Sequence, residues 1–273
     1  MDVGGVLPAV GVDPAFLLGV LNGAVADFVF RRTAKPFRGG FRSANKQFIA
    51  PLPMPDASRE EQAEIAVKAR MLQDGWTRRR ELLTAAQDRL SVLARARHPK
   101  HWLWPTLPIL ADLEDAAPRT LTMTNERQEW VKQKLEDAIA ERVETLQAAL
   151  DSEETLQAEF HDGELVLHAG GRRLLDHIYL DEDVGQIAER YWRFLLLSQN
   201  CRDAWSLAEE LRRPPSELDV PAARQFIQHV DALAQQVAEI AAQESAVNES
   251  LFALYGLTEV ERFLVETDGA GRS

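Results

Sequence analysis

Two stretches of this 273-residue chain carry apolar residues at alternating spacings of four and three, and that rhythm restricts the fold more than any other feature. In the first, the series is Ile65, Ala69, Leu72, Trp76, Arg79, Leu83, Ala86, Leu90 and Leu93, with Arg79 its one charged member. In the second, Phe226, Val230, Leu233, Val237, Ile240, Glu244, Val247 and Leu251 keep the same alternation. A mean spacing of about 3.5 residues places such positions on one narrow stripe of an α-helix, and that stripe is buried by a second helix carrying its match. The two stretches therefore predict long helices over about 58–97 and 222–255, packed antiparallel, with Leu72, Trp76 and Leu83 near Val230, Val237 and Ile240.

Local signals set the remaining elements. Ser58 with Glu61 three residues later forms a capping box that starts the first long helix. Gly256 ends the second, because a glycine accepts the left-handed conformation of a helix C-cap. Asp13-Pro14 is a further helix start, and Leu17, Leu21, Val25 and Phe28 predict about five turns running to Arg32. Residues 33–55 contain Pro36, Gly39, Gly40, Pro51, Pro53 and Pro55 and read as a loop, with Phe48-Ile49 a short strand at most and Pro53-Met54-Pro55 a boundary.

Residues 98–123, with Trp102, Trp104, Pro105 and Pro108, suit an ordered irregular connector. Thr124 to Leu150 predicts a helix with Trp130, Leu135, Ile139, Val143 and Leu146 on one side. A β-hairpin follows over 164–180, turning at Gly170-Gly171, with Leu174, Ile178 and Leu180 facing inward, and residues 182–200 are helical. The expected fold class is mainly α: long helices forming an antiparallel coiled coil or bundle, with a small β-hairpin.

Several chemistries lack their residues. The one cysteine, Cys201, supports neither a disulfide nor a Cys-based zinc site, and the six histidines show no zinc spacing, so metal ligands are expected to be none. No phosphate-binding loop, no Gly-x-Ser-x-Gly elbow and no catalytic carboxylate cluster occurs, so catalytic residues are likewise expected to be none; Glu136, Asp137, Glu141 and Glu144 read as solvated helix charge. With no long apolar run and no secretory signal, the expected location is cytoplasmic, with no membrane partner.

Charge is uneven. Residues 1–100 hold 16 basic against 10 acidic residues and the remainder 15 against 33, so the net charge of −12 hides a basic first part. Its focus is residues 31–46, Arg-Arg-Thr-Ala-Lys-Pro-Phe-Arg-Gly-Gly-Phe-Arg-Ser-Ala-Asn-Lys, with six basic residues and no acidic one. Lysine and arginine contact phosphate, arginine and asparagine can read base edges, and glycines let a backbone approach a duplex. A solvated basic loop accounts for the same residues.

The order of motifs adds information. Leu17-Leu18-Gly19-Val20-Leu21-Asn22, Phe28, Phe37-Arg38-Gly39-Gly40-Phe41, Asn45-Lys46-Gln47-Phe48-Ile49 and Leu52-Pro53-Met54-Pro55 together resemble the TaqI-like carboxy-terminal specificity domain of type IIG-like adenine-N6 DNA methyltransferases. Leu254-Tyr255-Gly256-Leu257-Thr258-Glu259 is similar to the closing element of the same enzymes, and the stretch from Gly171 to Asp181 with the helix after it resembles their helical insert.

The resemblance implies that residues 1–55 are the carboxy-terminal end of a DNA target-recognition domain and residues 56–273 a helical domain. It implies double-stranded DNA as a partner, contacted through Lys35, Arg38, Gly39, Gly40, Arg42, Asn45 and Lys46, while Phe37 and Phe41 are alternatively core. The glycine-rich cofactor turn and the Asn/Asp-Pro-Pro-Tyr/Phe stretch of such methyltransferases do not occur here. S-adenosylmethionine and catalysis are accordingly expected in a separate domain, either upstream of residue 1 or on a separately encoded methyltransferase core. The alternative is a helical protein-interaction subunit, or a remnant, without DNA binding.

Overall fold

A computed structural model describes residues 6, 8–36, 42, 44–108, 110–152, 154–198, 203–217 and 220–270. The chain is mainly helical. In order, the elements are α1 (Pro14–Asn22), α2 (Ala24–Thr33), α3 (Lys46–Ile49), α4 (Arg59–Ser91), a 3-10 turn (Lys100–Leu103), α5 (Leu110–Ala116) and α6 (Thr124–Asp151). Then come β1 (Leu156–His161), β2 (Glu164–Ala169), β3 (Arg172–Tyr179), α7 (Glu182–Ser198), α8 (Ala204–Leu211), α9 (Pro221–Tyr255) and α10 (Glu259–Ala270). The chain divides into two compact units, one of Met1–Glu81 with Gln235–Ser273 and the other of Leu82–Ala234. Cys201 lies outside the described residues.

In the first unit, α4 and α9 meet antiparallel. Ile65 and Ala66 share a core with Val247 and Leu251, joined by Ala15, Phe16 and Val20 of α1. The seam departs from the expected one in phase. Gly75, not Trp76, faces α9, so close that a Cβ there would lie 3.2 Å from Ile240 Cγ1, and Trp76 is 43% exposed. Across from it Gln243 takes the half-buried place expected of Glu244, which is exposed. A straight helix drifts against a strict seven-residue repeat, and a glycine lets the seam absorb that drift by a three-residue step from Leu72.

The expected single helix after Asp13 is two. Asp13 Oδ1 does accept from Ala15 N at 2.7 Å, as a cap should, but the helix breaks at Gly23 and the two halves differ by 58°. Leu251 presses on Gly23, and Asn248 Oδ1 accepts from Ala24 N at 2.9 Å, which satisfies a donor that the break frees. The Ser58–Glu61 box forms as expected, with Ser58 N donating to Glu61 Oε2 at 2.7 Å and Glu61 N to Ser58 Oγ at 3.2 Å. Residues 46–49 form a helical turn in place of the expected strand. Among the described residues no single helix is long and apolar enough to cross a membrane.

The second unit is built around α7. Tyr191, Trp192 and Phe194 are buried, and Phe194 meets Phe226 of α9 edge to face at 5.6 Å. The expected hairpin is present but belongs to a three-stranded antiparallel sheet in the order β1-β2-β3. Its turns use positive φ at Asp162 and Gly163 and again at Gly170 and Gly171.

Register irregularities around Leu167 change which side chains face inward, so Leu175 is buried with Ile178 while Leu174 and Leu180 are half-buried. Gly185 of α7 sits against the Phe160 ring, where a Cβ would come within 2.1 Å of it. Residues 94–98 pair antiparallel with 212–216, through Ala96 N to Pro214 O at 2.9 Å, His98 N to Arg212 O at 3.0 Å and Ser216 N to Ala94 O at 2.9 Å.

Candidate nucleic-acid interface

The basic segment is rooted in the last turn of α2. Arg31 and Arg32 stand there, where a cation meets the partial negative charge of the helix's carbonyl end. Both are engaged by the chain itself. Arg31 Nε pairs with Asp27 at 2.7 Å, and Arg32 donates to Phe28 O at 3.3 Å with its guanidinium 3.5 Å from the centre of the Phe28 ring.

Beyond α2 the backbone turns outward. Ala34 is buried, whereas Lys35 and Pro36 are exposed. Pro36 and Arg42 then form an antiparallel bridge, and Arg42 Nη1 donates to Ala34 O at 3.1 Å. These two contacts join Arg42 to the residues that follow α2, so Arg42 spends one of its five donors on the chain's own backbone.

The return limb presents Asn45 and Lys46, both exposed. Asn45 O accepts from Phe48 N at 2.9 Å and Ile49 N at 3.2 Å, which starts α3, while its side chain makes no capping bond. A cleft of about 300 Å³ lies under this limb, lined by Leu21, Asn22, Phe30, Ala44, Ile49 and Leu52 among others.

The segment's exit is tied to the far end of the chain. Tyr255, the last residue of α9, donates its hydroxyl to Pro53 O at 2.7 Å. Burial pushes the Tyr255 hydroxyl up from 10.0 to about 12, so it keeps the proton it donates. Gly256 then takes a φ of +63°, and Leu257 N reaches back to Phe252 O at 3.1 Å, ending α9 in a Schellman-type cap. Thr258 and Glu261 form a second capping box that starts α10, with Thr258 N donating to Glu261 Oε2 at 2.8 Å. Val265 of α10 packs with Phe252 and with Val25 of α2, the helix that feeds the basic segment.

Of the residues expected to face DNA, Lys35, Arg42, Asn45 and Lys46 lie on this segment, and Arg38, Gly39 and Gly40, with Phe37 and Phe41, fall outside the described residues. Tyr255 stands in the closing motif and Asn248 in no motif, and both make their contacts across more than 200 residues of sequence, so nothing local shows that Tyr255 meets Pro53 or that Asn248 meets Ala24. The arrangement offers cations and an amide on an exposed strip, which can bind phosphate and reach base edges.

Two other polar clusters lie in the second unit. Glu189 is buried, and burial raises its carboxyl while Arg193 and Arg190 draw it back; Arg190 Nη1 donates to it at 2.7 Å and Arg190 Nε lies 3.3 Å from Asp231 of α9. Arg95 and Tyr191 both donate to Glu210 Oε2, at 2.6 and 2.8 Å. Each cluster joins elements by charge neutralisation. Among the described residues no three histidine, cysteine or carboxylate side chains converge as metal ligands would. Comparison of the chain with family models, with characterised proteins and with solved structures returned no match.

Proposed function

We propose that this chain is a non-catalytic, cytoplasmic DNA target-recognition part of a type II, IIG-like restriction-modification or phage-defence system. It works with a separately encoded adenine-specific methyltransferase core that holds S-adenosylmethionine. The observation that carries the reading is the basic segment: six cations and no carboxylate in residues 31–46, in a chain otherwise strongly acidic. Arg42, on this segment, is held to the end of α2 through Ala34 O. A second support is that the two motifs resembling the specificity domain, far apart in sequence, share one compact unit and touch through Tyr255 and Pro53.

A second reading, a helical protein-interaction subunit, is favoured by α10. Val260, Phe263 and Leu264 are 70%, 63% and 52% exposed there, while Val265 of the same helix is buried. Fluorescence anisotropy of a labelled duplex separates the two. The DNA reading requires binding by the purified chain that weakens when Lys35, Arg42 and Lys46 are replaced by alanine. Replacement of Arg172 and Arg173, which pair with Glu154 and Glu164, should leave it unchanged. Absence of binding, or equal affinity for both variants, favours the interaction reading.

A further inference from the structure

We infer that Tyr255 is a positioning residue for the basic segment, holding its exit at Pro53 so that Lys35, Asn45 and Lys46 are presented to phosphate together. This rests on the DNA-contact reading above and adds to it a residue that bears no charge and lies at the opposite end of the chain.

Ordering exposed backbone such as that of Lys35, Asn45 and Lys46 at the moment of binding costs affinity unless the fold orders it beforehand. The fold fixes this segment at its two ends. The entry is fixed because Val25 of α2 packs with Phe252 of α9 and Val265 of α10, and because Arg42 holds Ala34 O. Among the described residues, the exit is held by a side-chain hydrogen bond from Tyr255 to Pro53 O.

Proline lacks an N–H, so Pro53 cannot anchor itself through a donor, and its carbonyl is the group available to be held. The Tyr255 ring packs against both hydrophobic clusters of the unit, which fixes where its hydroxyl points.

Tyr255→Phe removes the hydroxyl and keeps the ring, so the cores on either side stay filled. Hydrogen exchange of the full chain reads the restraint without DNA: in the variant the amides of Ala50 and Leu52, which donate to Lys46 O and Ile49 O, should exchange about three- to tenfold faster. Duplex binding reads its consequence. The dissociation constant should rise about three- to tenfold, and the log-log salt slope should flatten by about one contact. Lys46→Ala should cost less affinity in the Tyr255→Phe background than in the parent, a coupling that a general loss of stability does not produce.

Unchanged exchange at Ala50 and Leu52 overturns the inference whatever DNA does. Faster exchange with unaltered affinity, slope and coupling also overturns it. A parent chain that binds no duplex, yet shows the exchange response, removes the DNA reading and the positioning role together while leaving the tie itself in place.

Discussion

Gly23 and Leu251 approach each other so closely that a Cβ on residue 23 would lie 2.3 Å from Leu251 Cδ1. Leu251 is fully buried, so it has little room to withdraw. Gly23→Ala should therefore destabilise the chain by about 1–3 kcal/mol, the usual cost of overpacking, as measured by urea unfolding. Stability equal to the parent would show that the contact between the α1–α2 bend and α9 is loose.

Gln243 carries a buried side-chain oxygen without a hydrogen-bond partner, in the seam opposite Gly75. Removing a desolvated polar group and filling its place with an apolar one should stabilise. We expect Gln243→Leu to raise stability by about 1 kcal/mol, visible as a higher melting temperature. A fall would mean that the amide makes a bond through water.

Four helix-starting carboxylates are held below their ordinary values by backbone N–H donors: Asp13 by Ala15, with help from Arg70, Glu61 by Ser58, Asp203 by Ser206 and Glu261 by Thr258. A carboxyl whose folded value is depressed contributes stability above its unfolded value, 3.8 for Asp or 4.5 for Glu, and loses it as pH falls through the folded value. Melting temperature should therefore drop between about pH 5 and pH 3, and Glu61→Gln with Glu261→Gln should make the drop shallower. A melting temperature independent of pH over that window would contradict the capping account.

Arg212 is 6% exposed, donates twice to His98 O, at 3.0 and 2.8 Å, and donates to Glu209 at 2.7 Å. Alanine there leaves the His98 carbonyl without these donors, while half-exposed Glu209 keeps Arg97 at 3.2 Å, so Arg212→Ala should cost about 1–3 kcal/mol in urea unfolding. Lysine should restore only part of it, because an ammonium cannot reproduce the guanidinium's fork. Full restoration by lysine would mean that charge alone matters at this position.

Legibility in the sequence followed the range of each interaction. Ser58 with Glu61, Asp13 with Pro14 and Gly256 act within a few residues, and each forms the cap that its residue type implies. The helix stripes were legible as a repeat but not in phase, because the choice of Gly75 over Trp76 depends on Ile240 and its neighbours across the seam. The break at Gly23 was hidden for the same reason, since Asn248 and Leu251 supply its cause. β1 was missed because its inward positions include only Ala158 as a buried residue, too weak an alternation to mark a strand. The candidate site was legible as charge, whereas its bond from Arg42 to Ala34 and its tie at Tyr255 arise only once the chain is folded.

The salt dependence of duplex binding reads how many phosphates the basic segment neutralises. Six cations would give a log-log slope of at most about −5. Arg31 and Arg32 are engaged by Asp27 and Phe28; on the proposed reading the other four cations of the segment, Lys35, Arg38, Arg42 and Lys46, contact phosphate, Arg42 with the donors that Ala34 O leaves, which gives a slope of about −3 to −4. The parent chain should show that slope, and the chain with Arg38, Arg42 and Lys46 replaced by alanine a shallow one with weakened affinity. An affinity and slope that the triple replacement leaves unaltered would contradict phosphate contact by this segment.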